Sequence, residues 1–385
     1  MSQINVRNLS NENDDGAPDI VGVSTFSATS YIVPPVGNTA QRPENPQPGD
    51  LRFNTDIAAL EYFRGDTINW EQMVMTSPDL NGGARGVRGG GNTATDTIEY
   101  YTISTLGNSV DFGNLTSSGK AQAGAASRTR GLWAGGETPS ATADWEYITI
   151  SSTGNATDAG DLTVARALAA GFSNQTRALF SGGYGGGSGH RNLTDYVAIP
   201  TTGNAVDFGD TTYSQTNAGA CASSTRGIVA GGQTPSYVNT ICYFTISTTG
   251  DASDFGDLTV ARRTLNGGSN SIRGIFAGGQ NVGPANTDNN CTNTIDYITI
   301  ASTGNAADFG DLTAGSNNGK MNTFAPGFSS TRGVWPGGQT GGGTAQDTME
   351  YNEIATLGNA VEFGEVADST GRTGPGGFSN AHGGL

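Results

Sequence analysis

Residues 130–160 read RGLWAGGETPSATADWEYITISSTGNATDAG, and this stretch decides the fold. An apolar run, Leu132–Ala134, stops at Gly135-Gly136. A second run, Tyr147–Ile150, alternates, with Tyr147 and Thr149 on one face and Ile148 and Ile150 on the other. Ser152-Thr153-Gly154-Asn155 is a turn, because Gly and Asn tolerate positive φ. A strand follows through Ala156–Leu162, and another lies near Ala169–Ser173, after Arg166. The stretch thus predicts four short strands per unit.

The unit recurs. RGVRGGG starts at Arg85, RGLWAGG at Arg130, RALFSGG at Arg177, RGIVAGG at Arg226, RGIFAGG at Arg273 and RGVWPGG at Arg332, at intervals of 45, 47, 49, 47 and 59 residues. A second phrase follows each copy: GNSVDFG from Gly107, GNATDAG from Gly154, GNAVDFG from Gly203, GDASDFG from Gly250, GNAADFG from Gly304 and GNAVEFG from Gly358. The aromatic position of that phrase (Phe112, Ala159, Phe208, Phe255, Phe309, Phe363) stands 18 residues before the next repeated Arg in four intervals and 23 in the last. Length varies mainly after the double glycine, at 182–196 and 278–297, so the constant parts read as packed strands and the variable parts as surface loops. Six such units describe an all-β chain whose four-stranded blades make a β-propeller. A parallel solenoid is the rival, with rungs of about 20–30 residues. GGFSNAHGGL (376–385) copies AGFSNQTRAL (170–179), so a spare first strand near Gly377–Asn380 is expected to complete the sheet holding Arg85–Gly91 and close the ring. A strand at Asp79–Gly83 is the alternative latch.

Composition agrees with this reading. The chain has 60 Gly in 385 residues and only 14% charged residues, too few for long solvated helices. The net charge of −16, with lysine only at Lys120 and Lys320, disfavours nucleic acid and anionic membranes as partners. No run of 18 apolar residues is present, and the opening MSQINVRNLSNENDDGAPDI has no apolar signal region. Cys221, Cys242 and Cys291 lack metal-ligand spacing and read as reduced, small hydrophobic residues.

A second strand ending in Gly-Gly, a Tyr-bearing third strand and an aromatic on the fourth resemble kelch repeats over about residues 80–385, with Phe of the DFG phrase where Trp is common. Residues 31–79 differ in kind. Thr39–Pro43, then PGDLRFNT from Pro48, then Leu60-Glu61-Tyr62 and Trp70, look like the small β modules of tail-fibre and other virion proteins of tailed bacteriophages. The RGhhxGG and GNAxDFGDLT phrases are similar to those of structural proteins from phages of cyanobacteria. The resemblance implies a virion location on tail or capsid surface, synthesis in the host cytoplasm, and contact with other virion proteins through residues 1–79. Such a module is too small to bury a core alone, so association, often trimeric in fibres, or docking is expected to complete it. Residues 1–30, polar and acidic, read as a flexible arm or anchor.

Motifs that could carry chemistry fare poorly. DFG recurs in a turn-rich repeat without a catalytic-loop HRD or a strand lysine, which excludes a kinase. His190 and His382 belong to no ligand cluster, so a copper site is not expected. Neither an SxDxGxTW box nor a GxSxG elbow is present. Asp288 among Asn286–Asn290 could meet calcium, yet one carboxylate in a Gly/Asn-rich loop reads as solvated. Arg85, Arg130, Arg177, Arg226, Arg273 and Arg332, with Asp111, Asp158, Asp207, Asp254, Asp308 and Glu362, occur once per unit and read as scaffold, the acids expected to bond backbone N–H groups or the repeated arginines. The better candidates for binding are Tyr184, His190, Arg191 and Tyr237 on the loops after the double glycines, where aromatic faces and planar polar groups suit a host glycan. The expectation is a binding protein rather than an enzyme, without cofactor or metal. A capsid-decoration or tail-assembly platform and a glycan-active propeller enzyme are the alternatives.

Overall fold

The computed structural model describes residues 34–72 and 84–385, apart from 57–58, 68, 92–94, 138, 186–188, 282–289, 314–319, 322–325, 341–344 and 368–373. The arm at 1–30, the alternative latch at 79–83 and Asp288 lie outside the described residues. The chain divides into two units, Met1–Pro78 and Asp79–Leu385.

In the first unit, Val36–Gly37 runs parallel to Leu51–Asn54, which pairs antiparallel with Ala59–Phe63 and then Trp70–Gln72. Alternation sends Arg52, Asn54, Glu61 and Phe63 to the buried side of this sheet. Glu61 accepts from Arg42 at 2.5 and 3.1 Å and from Asn54 at 3.1 Å, with Arg52 at 3.6 Å. The Arg42 hydrogen bond outweighs burial and holds the Glu61 carboxyl below its usual range. The opposite side carries Val36 and Leu51, which are 58% and 42% exposed.

The second unit is all-β. Its sheets are antiparallel and successive in sequence, consistent with the blades of a β-propeller. The second sheet is typical: Ala123–Ala126, Arg130–Ala134, Asp144–Thr149 and Thr157–Asp161, side by side in chain order. The third strand starts at Asp144, three residues before the alternation read from sequence, because Trp145 is also buried between sheets. In the first sheet the inner strand is Gly376–Ser379, paired antiparallel with Arg85–Gly89, so the two ends of the repeat region share one sheet. The sixth is extended by Lys320–Met321, which pairs the far end of Arg332–Thr340.

Among the described residues, six apolar cores lie between the sheets. Leu132, Trp145 and Phe180 belong to the core between the second and third sheets, and Val87, Trp133 and Phe378 to that between the first and second. The series ends with Tyr101 and Ile103 of the first sheet against Val334, Met349 and Phe363 of the sixth. Second strands are therefore buried on both faces and read as continuous apolar runs after their arginine. Each fully buried Leu, Ile or Phe contributes about 1.5–3 kcal/mol, so these seams dominate the energetics over any single polar contact. Inner strands touch in the same order, from Ala123–Ala126 through Ala170–Ser173, Gly219–Ala222, Asn266–Ser269 and Gly327–Phe328 to Gly376–Ser379, which lies against Ala123–Ala126 again.

Candidate functional site

The repeated polar residues hold the seams. Each repeated arginine stacks on the tyrosine of the third strand in its own sheet, with the guanidinium carbon 4.0–5.0 Å from the ring centroid. Its Nη1 donates across the seam to a main-chain carbonyl just beyond the third strand of the next sheet, at 2.6–3.2 Å: Arg85 to Ile150, Arg130 to Ile199, Arg177 to Ile246, Arg226 to Ile300, Arg273 to Ile354 and Arg332 to Ile103. A planar, permanently charged fork suits both tasks at once.

Of the two partners expected for the repeated acids, backbone N–H groups or these arginines, the arginines are corrected. Asp111, Asp158, Asp207, Asp254, Asp308 and Glu362 are exposed, and among the described residues none bonds a repeated arginine. Strand alternation is the reason: the acid precedes the buried aromatic on the outer strand and so points away from the seam. Among the described residues, Arg332 is the one repeated arginine that meets a carboxylate, that of Glu353, at 2.9 Å.

The second phrase is also a seam device. Its Gly N–H donates to the carbonyl at the aromatic position of the preceding sheet at 2.8–3.1 Å, as Gly154 does to Phe112 and Gly107 to Phe363. The next residue's side chain accepts from a backbone N–H two positions further along that outer strand, at 2.9–3.2 Å, through Asn108, Asn155, Asn204, Asp251, Asn305 and Asn359. At Gly160 the approach is so close, and φ so positive at 144°, that a Cβ would collide with the Gly203 carbonyl.

The loop candidates fall on two neighbouring sheets. Tyr184 is 42% exposed and bridges Ala167 and His190 through its backbone. His190 Nδ1 lies 3.1 Å from Thr216 Oγ1, and the Arg191 N–H donates to the Gly183 carbonyl at 3.0 Å. Tyr237 sits in a short hairpin against Gln233, its ring under the Arg263 guanidinium at 5.0 Å. Arg263 in turn donates to Gln233 Oε1 at 2.5 Å and Gln280 Oε1 at 2.9 Å. Tyr184, His190 and Arg191 are thus grouped, while Tyr237 belongs to a separate Tyr–Arg–Gln cluster.

Among the described residues, sequence reasoning missed the looser buried pair Arg88–Glu99 at 3.7 Å and the buried ion pairs Arg166–Asp195 at 3.0 Å and Arg262–Asp296 at 3.1 Å, all four side chains of these last two fully inaccessible. Thr163 and Thr259 donate to the same carboxylates. Burial pulls both guanidinium pKa values down, against the opposing pull of the aspartates. The signal was present in DLTVARA (161–167) and DLTVARR (257–263), which share Thr and Arg at the same offsets.

For catalysis the geometry offers little. His382 Nε2 is 3.3 Å from Ser173 Oγ, but it is also 2.9 Å from the Ala126 carbonyl, and Nδ1 accepts the Gly384 N–H at 3.1 Å. The Nε2 therefore carries the proton, and the ring cannot serve as base toward Ser173. The three cysteines are free and buried, and burial pushes the Cys242 thiol up to about 12. Among the described residues, no group of three or more His, Cys, Asp or Glu could hold a metal ion. No protein-family model and no curated protein matches this chain.

Proposed function

We propose that residues 80–385 form a closed six-bladed β-propeller, and that the chain is a virion structural protein of a tailed phage. In this reading it is a tail fibre or receptor-binding protein that presents the propeller to the host surface and turns nothing over. The ring reading is supported by the seam between sixth and first sheets and by the pairing of Gly376–Ser379 with Arg85–Gly89. One observation carries the binding reading. The arginine, tyrosine and Gly-Asn or Gly-Asp groups repeated in every sheet are engaged at seams, whereas Tyr184, 42% exposed, and Tyr237 take no part in those repeated contacts. An exposed tyrosine beside hydrogen-bonding side chains suits the apolar face and hydroxyls of a sugar.

The first unit fits an attachment module. Phe63 is its one buried apolar side chain among the described residues, and Val36 and Leu51 remain open. So small a core gains from association with further copies or with another virion protein. Immunogold labelling of phage particles with antibody against this chain tests the assignment: label at tail tips supports host recognition, and label over the capsid shell would replace it with a decoration role.

A further inference from the structure

The inner strands surround a cavity of about 120 Å³, lined by Ala123–Ala126, Ala170–Ser173, Asn266–Ser269 and Gly376–Ser379 among others, with His382 at its edge. Residues 380–385 run from the first sheet over this cavity. The Asn380 N–H donates to the Arg85 carbonyl, and Asn380 Oδ1 accepts the Arg85 N–H at 2.8 Å. His382 Nε2 donates to Ala126 of the second sheet at 2.9 Å and meets Ser173 of the third at 3.3 Å. The Gly383 N–H donates to Ser269 of the fifth at 2.8 Å. Gly383 and Gly384 fit so tightly that a Cβ would collide with the Asn270 and Ser173 carbonyls. Six residues thus tie four sheets across one mouth of the cavity. We propose that residues 380–385 are an acid-released strap whose closed state requires a neutral His382.

The requirement comes from geometry. In the closed strap Nε2–H faces a carbonyl and Nδ1 accepts an N–H, so a second ring proton would point at the Gly384 N–H. Among the described residues, no side-chain carboxylate bonds the ring, whose partners are Ser173 Oγ, the Ala126 carbonyl and the Gly384 N–H. The strands packed against the ring, AGAA, AGFS, GACA, NGGS and GGFS, carry no charged side chain, and Cys221 is their one titratable group. The repeated arginines Arg85, Arg130, Arg177, Arg226 and Arg273 are held on their tyrosines, and Arg128 is exposed. Burial accordingly holds the imidazolium pKa down, to about 4. An open strap returns the ring to about 6.5. The closed state binds fewer protons, so closure is complete above about pH 6.5 and weakens about tenfold per pH unit as pH falls toward about 4.

Hydrogen exchange on the full chain tests this. Protection of the 380–385 amides, corrected for intrinsic rates, is expected to fall about tenfold per pH unit from about pH 6.5 to 5, while Arg273–Ala277 holds its protection. In His382→Gln, whose amide can donate to Ala126 but does not titrate, the slope should vanish. Equal slopes in the two proteins, or a wild-type slope of zero, would overturn the strap. Histidine NMR titration of the wild type decides independently if the variant fails to fold: a His382 resonance that titrates near pH 6.5 in the folded protein sinks the proposal.

Discussion

Truncating Arg130 to alanine removes a guanidinium that stacks on Tyr147 and holds the Ile199 carbonyl of the next sheet. The site is partly solvated, so the expected loss is about 1–2 kcal/mol, read from denaturant midpoints. Asp195→Ala should cost more, about 3–5 kcal/mol, because it strands the fully buried Arg166 charge. Equal losses would mean that the seam arginines and the buried pair carry the same weight, contrary to their burial. The arginines were legible as scaffold from their repetition, but their partners were not. Arg130 and Ile199 stand 69 residues apart, and one sequence gives no sign of a side chain meeting a main-chain carbonyl at that distance. The same repetition suggested the arginines, or else backbone N–H groups, as partners of the acids, and the arginine pairing failed because alternation along the outer strand turns those acids outward. The role of His382 was hidden as well, since it follows from backbone groups on other strands.

Among the elements, the outer strand and the Gly-Asn turn of the next sheet act as one joint. Gly160→Ala places a Cβ against the Gly203 carbonyl on top of an unfavourable φ of 144°, and a loss above about 2 kcal/mol is expected. Gly154→Ala meets nothing within 4 Å and bears only the backbone cost, so its loss should be the smaller in the same unfolding experiment. A Gly154 variant as damaging as the Gly160 variant would show that the joint is set by backbone conformation rather than by contact. The four strands of each unit were readable because alternation and Gly-Gly stops are local signals. Their ends moved by a few residues where a neighbouring sheet supplied burial, as at Trp145. The first unit was less readable: its buried side is built on Arg52, Asn54 and Glu61, which apolar periodicity does not detect.

For the whole molecule, GGFS (376–379), a copy of the inner-strand segment AGFS (170–173), pointed to the strand that pairs Arg85–Gly89. Deleting residues 376–385 unpairs that edge and removes Phe378 from the core between first and second sheets. The expected result is early unfolding or aggregation through the open edge, seen as a broadened, lower thermal transition. The host-recognition proposal rests on loops that the seams leave available, and the most direct measurement is binding of the intact chain to a glycan array. Binding to a defined set of glycans, weakened at least tenfold by Tyr184→Ala with Tyr237→Ala while the thermal transition is unchanged, is the predicted result. No binding to any glycan, or binding indifferent to both substitutions, would contradict it.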